Sequence, residues 1–498
     1  MITKVKIKIF FKWTRIVLIG ALEQLRKEYQ ELEDQNREQR EEIIRLKSEL
    51  KKIEIKSINL EVNKPSSKKP EWDKKGVGND GKGNKNKGKG RGSKARKGAG
   101  NRRKDQKKVT RTIKATVDKC DNCDRDLTEE AALKSSNERI VEDIPDIVQE
   151  TLITRIEQEK KCCPDCKAVI TAKSILALPK ADIGLNASVL ICYFWVALSM
   201  PLTRTRDYLQ AFFSLKLSTS GLSKHVIRIA EIMKPVYHEI LKDIKAGVTL
   251  HADETGWRVR GKNWWLWVFG TLDSAYFTID KSRGSAVVRR VLGEIFFGVL
   301  VVDGWSAYLS LICEQQSCMA HVLRKIRKFR ESFPQLKAIS QFYLKFRRIL
   351  RDGEKLQSQR TELGKLIFKR RLKKLHDRLN KLLEWQDPDD ILKEIIKKVK
   401  RQQPRILTFV EHPGVPCHNN YGEYLIRIGV LKRKVSGGSV SPKGAEAYAV
   451  LLSIFVTCKL RGIGFPMYLK TSLQHYIKTG KPMLLKEYNP AEEMDLAA

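Results

Sequence analysis

The chain has 498 residues, 42% of them hydrophobic and 31% charged, and its formal net charge is +38. That length supports several separately cored domains, and so large a charge excess points to a polyanionic partner, nucleic acid ahead of an anionic membrane surface. No apolar run approaches the ~20 residues of a membrane span, so a helical membrane protein is excluded and a cytoplasmic, nucleoid-associated place is expected.

The opening MITKVKIKIFFKWTRIVLIGAL is basic and then briefly apolar. It lacks a small-residue cleavage site and reads as a helix lead-in rather than a signal peptide. A coiled coil is predicted over 16–57. Its a positions are Leu22, Tyr29, Asn36, Ile43 and Leu50, and its d positions Leu25, Leu32, Gln39, Leu46 and Ile53. Such a seam must meet another helix, and an a-position Asn favours a dimer, so a homodimer is expected; one long solvated helix is the alternative.

Residues 58–109 are predicted to be a disordered basic linker. Between 64 and 108 there are eighteen Lys/Arg against four Asp/Glu and almost nothing apolar. Such a tether cannot bury a core, and on DNA it would bind phosphates without reading sequence; a merely soluble linker is the alternative.

Five of the ten cysteines fall in two clusters. Cys120-Asp-Asn-Cys123 and Cys163-Pro-Asp-Cys166 have the C-x2-C spacing of zinc knuckles, so residues 110–175 are predicted to hold a structural Zn2+ through Cys120, Cys123, Cys163 and Cys166. Buried free thiols or a redox pair are the alternatives.

Residues 180–245 are predicted to be helical and to bind DNA. PLTRTRDYLQAFFSLKLSTSGLSKHVIRIAEIM reads as helix, turn, then a helix capped near Ser218 or Ser220. Arg204, Arg206, Lys216, Lys224, His225 and Arg228 make the pair basic, in the manner of a helix-turn-helix; an ordinary helical hairpin would look similar.

From 247 the period shifts towards two. GVTLHADETGW reads as a strand ending near Asp253, and KNWWLWVFGTL and AYFTID as two more. SAVVRRVLG is a short helix, and FFGVLVVDGW a buried strand ending in Asp303. Three meandering strands, a helix and a further strand suit a mixed sheet of ribonuclease H-like type. The fold class expected is therefore multidomain α+β / α/β. The core divides into 246–334 and 413–470, separated by a helical insertion at 335–412 and followed by a tail at 471–498.

An apolar strand ending in a carboxylate is costly to desolvate unless something positive waits for it. If the strands of Asp253 and Asp303 are neighbours, the carboxylates lie side by side and raise one another's pKa. A divalent cation turns that repulsion into coordination, and carboxylate oxygens suit Mg2+ or Mn2+. Glu423, in the first turn of a helix predicted within CHNNYGEYLIRIGVLKRKVSGG, is the candidate third ligand. Glu254 is its rival, although strand alternation would turn it to the other face.

HADET at 251–255, VVDGWSAY at 301–308, CMAHVLRKI at 318–326 and HNNYGEYLIRIGVLKRK at 418–434 resemble the TnpC-type transposases of bacterial insertion sequences, family sixty-six. The resemblance implies a DDE-type transposase with Asp253, Asp303 and Glu423 as its catalytic triad and magnesium ligands. It implies binding of terminal inverted repeats and target DNA, then cleavage and strand transfer, with accessory transposition proteins as possible partners. Arg204, Arg206, Lys224, Arg228, Arg324, Arg427, Arg433 and Lys434 are the candidate DNA contacts. Cys318 and His321 resemble a C-x2-H signature that could position DNA, support the site, bind metal or simply pack. The sequence departs from the family pattern at His418-Asn419-Asn420 and Glu423-Tyr424. An impaired copy acting as a DNA-binding regulator and a structure-selective nuclease are the alternatives.

Overall fold

The computed structural model describes residues 149–489 apart from 163, 165–168 and 388, together with scattered positions between 20 and 49. The basic linker, Cys120, Cys123, Cys163 and Cys166 lie outside the described residues. At the N-terminus the described positions are helical, and the d residues Leu32 and Leu46 are 57% and 52% exposed. The chain divides into two compact units, one of which contains the sheet and the helices around it.

A short antiparallel pair, β1 (Lys160–Cys162) and β2 (Val169–Thr171), precedes the main body. Four helices follow: α1 (Leu185–Val196), α2 (Leu202–Phe213), α3 (Thr219–Ile232) and α4 (Lys234–Ala246). Ser218 caps α3, its side chain accepting from the Gly221 N–H at 3.0 Å. α4 starts with Pro235 in its first turn, where a missing N–H costs nothing.

The sheet has five strands in the order β5-β4-β3-β6-β7. β3 (Thr249–Val259), β4 (Lys262–Gly270) and β5 (Ala275–Asp280) form an antiparallel meander. After α5 (Ser285–Leu292), β6 (Ile295–Val302) pairs parallel to β3, and β7 (Ile312–Ser317) parallel to β6. Two expectations need correction. β3 does not end near Asp253: the hairpin with β4 carries it on to Val259, paired with Lys262. β7 was not anticipated, because ICEQQS has neither apolar alternation nor β-branched enrichment.

Gly298 lets β6 run close to the segment after α4. A Cβ there would lie 2.5 Å from the Gly247 carbonyl oxygen and 2.6 Å from that of Val248, and neither is a flexible side chain. The outer edge of β5 is covered by α11 (Pro442–Leu460). Ala275 N–H donates to Thr457 Oγ1 (3.1 Å) and Phe277 N–H to Ser453 Oγ (2.8 Å), so the edge offers no free ladder there.

Past β7 come α6 (Met319–Ser332), α7 (Lys337–Ser358), α8 (Lys365–Leu383) and α9 (Asp390–Lys400). Their apolar faces share one cluster that runs from Val299 and Val301 on β6 through Phe342, Phe346 and Leu379 to Val415. α10 (Asn420–Ser436) then returns to lie on β3 and β4, and α12 (Phe465–Thr479) closes the helical layer. Among the described residues no helix is long and apolar enough to cross a membrane.

Candidate active site

β3 and β6 are parallel neighbours, with Thr249 opposite Val299 and His251 opposite Val301. Carried on by two residues, that register sets Asp253 beside Asp303, which directly follows β6. Burial pushes the Asp253 carboxyl well above the usual carboxylate range; the charges of Glu254, Asp303 and Glu423 add to the effect, and a hydrogen bond from the Glu254 N–H (2.9 Å) opposes it. Glu423, in the first turn of α10, is 9% exposed. The structure thus brings Asp253, Asp303 and Glu423 within electrostatic reach of one another.

Asn419, buried at the start of α10, holds Glu423 in place. Its N–H donates to Cys318 Sγ at 3.1 Å and its Nδ2 to the Ala252 carbonyl at 2.8 Å, while its Oδ1 meets His251 Nδ1 at 2.9 Å. The Asn419 side chain therefore ties α10 to β3 beside Asp253, and its backbone N–H ties it to the start of α6. Cys318 is fully buried and, as the acceptor of that N–H, supports the loop entering α10. Gly429 completes the approach: a Cβ there would come within 2.2 Å of Leu266 Cδ2 on β4. The contribution of Asn419 was missed in sequence, although the HNN triplet marked the position.

Glu254 feels the charge of Asp303 but is bonded to other groups. Its side chain is 1% exposed; Oε1 accepts from Arg283 Nε (3.1 Å) and NH2 (2.8 Å), and Oε2 from Tyr308 Oη (2.6 Å). Arg283 is itself stacked between Trp265 and Trp305, 4.5 and 3.9 Å from the ring centres. The Trp305 indole N–H donates to the Arg283 carbonyl (3.2 Å), so the segment after Asp303 is held from both ends by the Glu254–Arg283 pair. Both oxygens of Glu254 are thus engaged by Arg283 and Tyr308.

Two basic groups face the carboxylates from α6. His321 Nε2 lies 3.6 Å from Glu423 Oε1, and burial lowers its pKa although Asp303 and Glu423 oppose that shift. Burial also lowers Lys325, against the pull of Asp303. Arg427 NH2 sits 3.8 Å from Glu423 Oε2 with its side chain mostly in solvent.

The remaining basic candidates divide by exposure. Arg204, Lys224 and Lys434 are exposed and Arg324 is half-buried. Arg206 reaches Thr219 Oγ1 (3.5 Å), and Arg228 donates to the Pro179 carbonyl. Two residues need correction. Arg433 turns inward, its NH1 held by Thr255 Oγ1 (3.0 Å) and the Gly256 carbonyl, so that nitrogen is committed to β3 rather than to a phosphate. His225 is buried against Ser188 Oγ (2.8 Å), and burial lowers its pKa to about 4, so it adds no charge to α3.

Among the described residues no three Asp, Glu, His or Cys side chains close on one point that a metal could fill as they stand. The chemistry of the cluster nevertheless fits a hard cation. Glu423 Oε1 is buried with no hydrogen-bond partner, and Asp253 is desolvated among like charges. Side-chain rotation would have to bring the oxygens together.

A mixed five-stranded sheet flanked by helices, with Asp253 within β3 and Asp303 just past the end of the neighbouring β6, fits a transposase catalytic core. The chain belongs to the Transposase IS66 family, which it matches over residues 180–447, more than half its length. Three proteins of Sinorhizobium fredii are similar to it. Uncharacterized protein y4jO is 36% identical over 16% of this chain and 24% of its own. Uncharacterized protein y4jD is 25% identical over 57% and 60%, and uncharacterized protein y4qI 23% identical over 56% and 58%. The chain thus spans less than two thirds of the length of each of these relatives.

Proposed function

We propose that this protein is a DDE-type, TnpC-like DNA transposase that binds the terminal inverted repeats of an insertion sequence, cleaves a strand and joins it to target DNA. The observation that carries this reading is the convergence of Asp253, Asp303 and Glu423, distant in sequence, where β3, β6 and α10 meet. These three carboxylates would hold Mg2+ or Mn2+. Bound there, divalent ions would activate the attacking oxygen and stabilise the leaving oxygen of an in-line phosphodiester displacement.

The chain's own residues have separate tasks. Asn419 and Cys318 fix the helix that carries Glu423. Glu254, Arg283 and Tyr308 fix the segment after Asp303. Lys325 and Arg427 offer cations to the DNA phosphates that approach the carboxylates. Arg204, Lys224, Arg324 and Lys434 are placed to hold DNA backbone further out. A zinc domain built on Cys120, Cys123, Cys163 and Cys166, and a dimer through the heptads, would hold two element ends together.

The test is a strand-transfer assay on element-end duplex with Mg2+ or Mn2+, comparing the parent with Asp253→Asn, Asp303→Asn and Glu423→Gln. Joined product from the parent and none from the three variants is expected. A parent as inert as its variants would leave a DNA-binding regulator; cleavage without joining would leave a nuclease.

A further inference from the structure

We propose that the outward face of α8 grips the sugar-phosphate backbone of duplex DNA, an inference that rests on the transposase reading and adds a binding surface to it. Of the nineteen residues of α8, eight are Lys or Arg and one, Asp377, is acidic. Its inward face is committed: Phe368, Leu375, Leu379, Leu382 and Leu383 are buried in the core of the insertion. Arg378 is held by Asp352 (2.8 Å) and Arg371 NH1 reaches Gln359 Oε1 (3.4 Å). Lys369, Arg370, Lys373, Lys374 and Lys381 are exposed, and among the described residues they form no salt bridge.

Folding does not explain that stripe. Lys369–Lys373 and Arg370–Lys374 are like charges four residues apart, an arrangement that weakens a helix. A solubilising surface would intersperse both signs. The repulsion is relieved by a polyanion. From Arg370 to Lys381 the helix rises about 16 Å, a length over which duplex DNA presents roughly ten phosphates. A bilayer is the poorer fit, because the apolar face it would need is already buried and only Leu366 and Ile367 in the first turn are exposed apolar residues. The apolar cluster on which α8 packs extends to Val301, two residues before Asp303.

The experiment uses the full chain with Arg370, Lys373, Lys374 and Lys381 all changed to Gln, beside a control carrying Lys373→Arg and Lys374→Arg. Binding to a duplex of unrelated sequence is followed between about 50 and 200 mM salt, where each phosphate contact contributes about 0.9 to the slope of log K against log salt. The Gln variant should lose about two to four from that slope and bind at least tenfold more weakly at low salt, while the Arg control matches the parent. Strand transfer on element ends is assayed in parallel. If the Gln variant keeps the parental slope while the parent joins DNA, the surface proposal fails and the transposase reading stands. If the slope falls as expected but the parent never joins strands, the surface stands and the transposase reading fails. Loss of binding to phosphatidylserine vesicles with no change on DNA would overturn the assignment of DNA as partner.

Discussion

Replacing Arg283 by Met tests the strut that holds the segment after Asp303. The substitution keeps a long apolar stem between Trp265 and Trp305 but removes both donors to Glu254 Oε1, leaving a carboxylate 1% exposed with Tyr308 as its only side-chain donor. Breaking a buried ion pair costs about 3–5 kcal/mol. The Arg283 side chain is 35% exposed, which places the loss at the low end, about 3 kcal/mol. Lost stacking on two rings, about 0.5–1 kcal/mol each, is partly recovered by sulfur–aromatic contact. Adding Glu254→Gln removes the stranded charge and keeps an acceptor for Tyr308, so the double variant should lose only about 1 kcal/mol, about 2 kcal/mol less than the single variant. Urea unfolding followed by tryptophan fluorescence reads all three differences, since Trp265 and Trp305 both report on the guanidinium. A single variant no less stable than the double, or both within about 0.5 kcal/mol of the parent, would refute the strut.

Further expectations follow from the same geometry. The folded Asp253 pKa is raised above the ordinary 3.8, so its favourable contribution is present at low pH and lost as pH rises through the folded value. Divalent cations require the ionised form, so thermal stabilisation by Mg2+ should grow with pH across that window; a Mg2+ effect independent of pH would contradict this. Lys432 is 3% exposed, bonded to the Met200 carbonyl (2.7 Å) near Trp195 and Tyr448, and burial lowers its pKa from 10.5 to about 7. A lowered lysine costs stability as pH falls from the unfolded to the folded value, so the parent should gain on Lys432→Met between pH 7 and 10; denaturation at several pH values checks the sign. Asn419→Ala strands the Ala252 carbonyl and His251 Nδ1, its two buried side-chain partners, and should cost about 2 kcal/mol, together with most strand transfer; full activity would show that α10 does not need this anchor.

Much of the core was legible because its strands obey period two and end at turn residues. The meander follows from its strand-like period and from the turns at Gly261 and Asp273, and β6 from its continuous apolar run. β7 was not legible. Its buried positions are Gln315, Gln316 and Ser317, whose polarity reads as loop. They are buried because partners reach them: Gln316 Nε2 donates to the Ile406 carbonyl and its Oε1 accepts from the Phe409 N–H, while Gln315 Nε2 donates to the Tyr308 carbonyl. Charge alone also misled at the site. Arg433 and His225 count as basic in a sequence, yet one is bonded to the edge of β3 and the other is neutralised by burial. Asn419 shows the converse, since an uncharged residue in a turn-like triplet proves to tie three segments together, and no local pattern announces a long-range hydrogen bond.

The most direct measurement is Mn2+ binding by the full-length chain, followed by electron paramagnetic resonance, for the parent and for Asp253→Asn, Asp303→Asn and Glu423→Gln. If the three acids share one cation site, the parent binds Mn2+, Mg2+ displaces it, and each variant weakens binding at least tenfold, about 1.4 kcal/mol. Three variants that bind Mn2+ as tightly as the parent would contradict the account.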